Sequence, residues 1–184
     1  DGLEGADSWG CDGHKWLNVP YDSAFAFCAR PDVHSTSMSY TAPYLTGSGA
    51  VSGMADLTAE SSRRARGFAV WAALRELGAH GVAELVDRLC ACADRFAQRL
   101  ADTAGFRVLA HELNQVLVAL DEPALTDACV HAVQQEGTCW MSATTWREHR
   151  CIRISVCNWR TTLEDVERSV DALIRVRSAA APGA

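Results

Sequence analysis

The segment Asp12-Gly13-His14-Lys15-Trp16-Leu17-Asn18-Val19-Pro20-Tyr21-Asp22 sets a lysine in a small, non-helical polar turn, with aromatic and apolar residues on both sides. An ε-amino group partly withdrawn from water has its ammonium form disfavoured, so a fraction stays neutral and can condense with an aldehyde into a Schiff base. A surface lysine that snorkels its charge out of a loop is the other reading of the same residues. Further along, Arg63, Arg64 and Arg66 crowd the first turns of a helix expected to begin at Thr58. The helix dipole disfavours cations there, so their placement points to anionic partners or to ion pairs with nearby glutamates. In Ile152-Arg153-Ile154-Ser155-Val156 the alternation puts Arg153 and Ser155 on one face of a strand and the apolar residues on the other. A guanidinium on a rigid strand can hold a carboxylate through two parallel hydrogen bonds, and an exposed sheet-face arginine is the alternative.

Two short strands, 6–11 and 23–29, are expected to flank the lysine turn, the second apolar enough to be buried on both faces. Residues 30–57 are rich in Ser, Thr, Gly and Pro without a sustained period, as in a functional lid or a disordered stretch. A helix capped by Thr58 and ending near Gly78 is apolar all round over 68–74, so it should be buried on several sides. The next helix, 81–100, has one clear core face. Beyond Gly105 the pattern predicts strands over 106–109, 115–120, 138–144 and 151–156, and a helix over 126–136. A closing helix follows, introduced by a Thr161/Glu164 capping box.

A net charge of −6 with 17 basic residues spread along the chain argues against nucleic acid and anionic membranes as main partners. No apolar run is long enough to span a bilayer and no signal-peptide blocks stand at the start, so a cytoplasmic location is expected. The eight cysteines show neither CxxC pairs nor interleaved histidines, so no metal site is expected and buried free thiols are favoured over a disulfide or zinc framework.

His14-Lys15-Trp16-Leu17 followed by Pro20-Tyr21-Asp22, with Asp7-Ser8-Trp9 upstream, resembles the cofactor-lysine segment of the group II pyridoxal-phosphate-dependent amino-acid decarboxylases, which include the glutamate and aromatic amino-acid decarboxylases. Tyr44-Leu45, Ser61-Ser62-Arg63-Arg64-Ala65-Arg66 and Ile152 to Val156 extend the resemblance in order along nearly the whole chain. It implies an α/β chain of the fold type I class: the end of the large cofactor-binding domain over 1–78, a small α+β domain over 79–178 including the connecting helix, and a frayed tail over 179–184. The implied cofactor is pyridoxal 5'-phosphate, with Lys15 as the Schiff-base lysine and His14 bonding the phosphate or fixing the lysine, a plain packing or turn role being the alternative for His14. Tyr44, on a mobile loop, is implied to return a proton to the substrate carbon. Ser61 and Ser62 would reach the phosphate across a homodimer interface, and Arg153 would grip the α-carboxylate of a small amino-acid substrate.

Relatives that form aldehydes carry phenylalanine in place of Tyr44, so its presence favours simple decarboxylation. Arg147-Glu148 stands where relatives often have a glycine nearby. Asp1 rather than Met opens the chain, which reads as the carboxy-terminal portion of a longer protein. The family's pyridine-nitrogen aspartate and ring-stacking histidine lie upstream of the lysine and outside these 184 residues. The isolated chain is therefore expected to be weakly active or inactive. The competing readings are another fold type I activity (aldehyde synthase, carbon–carbon lyase or transaminase) and a truncated, non-catalytic module.

Overall fold

Small and aromatic residues on either side of the lysine extend the chain into two strands, β1 (Ser8–Asp12) and β2 (Ala24–Cys28). They pair antiparallel with Ser8 opposite Cys28 and Asp12 opposite Ala24. The computed structural model describes residues 2–39, 53–60 and 62–180. It divides into two compact units, Asp1–Glu76 and Leu77–Ala184. Among the described residues no helix is long and apolar enough to cross a membrane.

The first unit departs from the sequence expectation at four points. The lysine segment is not a non-helical turn: Gly13–Trp16 form a single helical turn, α1. β2 is not buried on both faces; Trp9 and Phe27 stack at 3.8 Å between ring centroids yet stay 39% and 44% exposed. An apolar run favours an extended backbone, but burial needs a covering layer, and the described residues of this unit cover the ribbon only in part. Within 30–57, residues 40–52 lie outside the described residues, and 30–39 are not structureless, because Pro31 at the first helical position and Asp32 beside it start α2 (Pro31–Met38), too polar to show a period. Asp56 accepts hydrogen bonds from Ser39 Oγ at 2.7 Å and Gly53 N at 2.8 Å, so one carboxylate joins these two residues. Finally, α3 (Arg66–Ala101) starts at Arg66 rather than Thr58, whose Oγ1 donates instead to Glu60 O at 3.0 Å. Its 68–74 stretch is not buried on several sides, since Phe68 is 73% and Trp71 59% exposed.

Gly78, at φ 63° and ψ −178°, breaks the helical geometry inside α3, a conformation glycine adopts without a Cβ penalty. Beyond it Leu85, Leu89, Cys92, Phe96 and Leu100 recur at helical spacing and are buried, as the sequence periodicity requires. β3 (Phe106–Glu112), β4 (Gln115–Leu120), β5 (Ser142–Trp146) and β6 (His149–Ser155) form an antiparallel sheet in the order β3-β4-β6-β5. α4 (Thr126–Glu136) contacts β5, β6 and α5 (Leu163–Ala180). Val116, Val118, Ile152 and Ile154 from the sheet, Val133 from α4 and Val166, Val170 and Leu173 from α5 complete the core.

The cap of α5 lies one residue later than expected. Thr162 N donates to Asp165 Oδ2 at 2.9 Å and Asp165 N donates to Thr162 Oγ1 at 3.2 Å. Thr161 instead donates its backbone N–H to Asn158 O. α5 continues through Ala180, so 179 and 180 are helical and not frayed. β5 and β6 are joined by Arg147 and Glu148, both at positive φ (45° and 70°), the two-residue turn whose twist matches antiparallel strands. Asn114, between β3 and β4, donates from Nδ2 to Val156 O at 2.8 Å and accepts Val156 N at 2.9 Å through its backbone carbonyl. These two turns fix the register of β6.

Candidate active site

α1 is held at both ends. At its start Gly13 is buried, with space for a Cβ limited by Phe25 Cε2 at 3.1 Å and Val19 Cγ2 at 3.4 Å, so the backbone comes close to the ribbon. His14 N donates to Ser23 O at 3.1 Å, and His14 Nδ1 lies 2.8 Å from Ser23 O and 3.1 Å from Ser23 N. The ring is anchored in either tautomer: a protonated Nδ1 donates to the carbonyl and a bare one accepts from the amide. At the end of α1, Asn18 at φ 52° donates from Nδ2 to Lys15 O at 3.1 Å and Trp16 O at 3.2 Å. Asparagine tolerates this left-handed geometry and satisfies carbonyls that a single helical turn leaves without intrahelical partners.

This frame turns Gly13 and Val19 inward and Lys15 outward. The amine is not withdrawn from water as the flanking aromatics suggested; the Lys15 side chain is 60% exposed, and its Nζ donates to Asp12 Oδ2 at 2.6 Å. Tyr21 lies against the His14 ring at 4.2 Å between centroids and is itself 77% exposed. Hydrogen bonding from Lys15, with its positive charge and that of His14, holds the Asp12 carboxyl below its usual range. Lys15 is also the only lysine among 17 basic residues; the other 16 are arginines.

His14, but not Lys15, lines a cleft of about 650 Å³ within the first unit, together with Asp22, Thr58, Glu60, Arg63, Arg64 and Arg66. Arg66 Nε donates to Asp22 Oδ1 at 2.8 Å, and this bond keeps the Asp22 carboxyl below the ordinary range. Arg63 Nε lies 3.2 Å from Glu60 Oε2. The expected crowding of arginines on a helix does not occur: Arg63 and Arg64 precede α3, and only Arg66 is in its first turn. Ser62 is exposed and also precedes the helix, so no helical N–H groups gather at it. Ser61 and Tyr44 lie outside the described residues.

Arg153 sits in the second unit on β6, between Leu117 of β4 and Ser142 of β5. It is exposed while Ile152, Ile154 and Val156 are buried, so the alternation read from the sequence holds. All eight cysteines are free; Cys92, Cys129 and Cys151 are buried, whereas Cys11 and Cys28, on the open ribbon, are exposed. No cluster of metal-ligating side chains occurs among the described residues. Two features escaped the sequence reading, the Asp12 partner and the uniqueness of the lysine. The first shows as an i, i+3 Asp-Lys spacing once 13–16 is recognised as helical, and the second as a simple count.

The conserved domain of pyridoxal-dependent decarboxylases matches residues 1–121, about two thirds of the chain and including the whole of α1. The chain belongs to this family. Within the pyridoxal-dependent decarboxylases it is 25% identical over 173 residues to the aromatic-L-amino-acid decarboxylase of Drosophila lebanonensis, covering 91% of this chain and 43% of that protein. It is 27% identical over 109 residues to the 4-hydroxyphenylacetaldehyde synthase of Rhodiola rosea, covering 59% of this chain and 22% of that one. The crystal structure of Oryza sativa TDC with PLP and tryptamine matches with a TM-score of 0.88 at 20% identity, over 97% of this chain and 40% of that one. The fold is thus that of the fold type I pyridoxal-phosphate decarboxylases, and the chain spans about two fifths of the length of such relatives.

The family's cofactor is pyridoxal phosphate, and the donor set of the first unit fits two of its ends. An exposed primary amine suits an aldehyde, and a cleft with three guanidinium groups against two carboxylates suits a phosphate.

Proposed function

We propose that this chain supplies the cofactor lysine and the substrate-carboxylate grip of a pyridoxal-phosphate-dependent carboxy-lyase acting on an amino acid. The observation that carries the proposal is Lys15: a sole lysine, anchored on a rigid turn with its amine exposed, in a chain of this family. Bound pyridoxal phosphate supplies an aldehyde for the amine and a ring that takes up the electron pair left when CO2 departs. Lys15 Nζ attaches the cofactor, and the Ser23-anchored His14 holds its phosphate. In the resemblance Ser61 and Ser62 reach that phosphate across a homodimer interface. Arg153 orients the α-carboxylate through a bidentate, charge-assisted pair.

Tyr44 returns the proton, a role that rests on the family resemblance. An aldehyde-forming activity is the second reading, favoured by the likeness to the Rhodiola rosea synthase. The tyrosine at 44, where aldehyde-forming relatives carry phenylalanine, supports amine formation instead.

The test is borohydride reduction of the chain with pyridoxal phosphate followed by peptide mapping. With one ε-amine in 184 residues, the label belongs on the Lys15 peptide and disappears in Lys15→Arg. A label confined to the terminal amine would refute the assignment. In an active enzyme containing this chain, Tyr44→Phe should divert product from amine toward aldehyde, and an unchanged product ratio would remove the role given to Tyr44.

A further inference from the structure

We infer that Asp12 is the counter-ion of the Lys15 nitrogen throughout imine formation, setting both how readily the amine reacts and how long its product lasts. This deepens the assignment of Lys15 and rests on it. α1 places the two residues i, i+3 on one side of a single turn, with Asp12 Oδ2 2.6 Å from Nζ. Asp12 ends β1, and its cross-strand partner is Ala24, so β2 brings no charge against it there. The other titratable group acting on the carboxyl from this turn is His14, whose Nδ1 is tied to Ser23.

The balance of the reaction shows why a fixed carboxylate matters at this atom. An ammonium and an aldehyde give a protonated imine and one water. The nitrogen sheds a proton, its lone pair forms the N–C bond, and the carbonyl π pair moves to oxygen. That oxygen, after protonation, leaves as water. The nitrogen is cationic at the start and at the end and neutral only in between. A carboxylate held 2.6 Å away stabilises both cationic ends relative to the neutral amine that attacks. It therefore restrains the free amine and protects the product against hydrolysis. Removing a residue that merely shaped the turn would not speed both formation and decay of the imine.

The experiment compares the 184-residue chain with Asp12→Asn and Asp12→Glu, each checked for native circular dichroism. Alkylation of Lys15 by a small neutral aldehyde with cyanoborohydride measures the amine, and decay of the pyridoxal-phosphate imine on dilution measures the product. Asp12→Asn should alkylate about two- to fivefold faster at neutral pH and lose its imine faster by a similar factor, with the pH profile of alkylation moved to lower pH. Asp12→Glu should return both rates toward wild type. Rates unchanged in Asp12→Asn, or both moved in the slow direction, would overturn the counter-ion role. If wild type forms no imine at Lys15, it is the assignment of Lys15 that falls. Should Asp12→Asn fail to fold, Asp12→Glu decides, because a longer carboxylate that leaves folding intact must still keep the imine long-lived.

Discussion

Gly105, just before β3, is the position where one added methyl group has the most calculable effect. Its φ is +90°, and a Cβ built there would lie 2.0 Å from Arg177 Cζ and 2.4 Å from Nε. The Arg177 guanidinium lies there with its Cζ 5.6 Å from the Phe106 ring centroid and its Nε buried without a hydrogen-bond partner among the described residues. In Gly105→Ala an L-residue in left-handed geometry costs about 1–2 kcal/mol. Driving the guanidinium off the ring removes a further contribution of about 0.5–1 kcal/mol. The sum, roughly 1.5–3 kcal/mol, corresponds to a fall in Tm of about 5–15 °C for a unit of this size. Urea titration followed by circular dichroism measures it.

Arg177→Ala added to Gly105→Ala removes the clash and leaves only the backbone cost. The double variant should therefore be more stable than the sum of the single effects by about 1 kcal/mol. Strict additivity, or a Gly105→Ala chain within about 0.5 kcal/mol of wild type, would refute the packing of Arg177 against Gly105.

Hydrogen bonds from Arg95 and Arg99 hold the Glu167 carboxyl below its usual value of 4.5. A depressed carboxyl contributes stability above the unfolded value that is lost as pH falls through the folded one, so Glu167→Gln should lower the urea midpoint at neutral pH and progressively less below pH 4.5. Burial pushes the Cys92, Cys129 and Cys151 thiols up, while Cys11 and Cys28 are exposed. Brief alkylation of the native chain, mapped by mass spectrometry, should mark the latter two and spare the former three until urea is added. Arg153→Ala should leave stability within about 0.5 kcal/mol. In an active enzyme containing this chain it should lower kcat/KM roughly ten- to a hundredfold, with only partial recovery in Arg153→Lys.

The second unit was the more legible in sequence because its elements satisfy their own patterns. Leu85, Leu89, Phe96 and Leu100 repeat at helical spacing and find a core, and Ile152, Ile154 and Val156 alternate against a sheet face that is covered. The first unit misled for one physical reason at several places. Phe25, Phe27, Phe68 and Trp71 carry apolar signals that imply burial, yet no described layer lies over most of them, and the apolar pattern cannot report whether its cover is present. α2 escaped because Pro31 and polar residues start it without a period, and α1 because a single turn is too short to show one. Lys15 stood out as a candidate through its neighbours, whereas Asp12 became visible only when the turn proved helical.

Arg147 and Glu148 also govern the parity of the strand that follows them. With two residues in the turn, Trp146 faces His149, and the count carries Ser142 opposite Arg153. Because side chains alternate, one residue inserted into or deleted from this turn with the β5 pairing kept would turn the guanidinium toward Val133 and Val170 and send Ile152 and Ile154 out to water. An unpaired cation in that core is far costlier than the turn's positive φ angles, so length at 147–148 is constrained more tightly than composition. Asn-Gly in place of Arg147-Glu148 should be accepted, with the backbone relieved. A one-residue change in loop length should instead break the β5–β6 pairing, and with it the placement of Arg153.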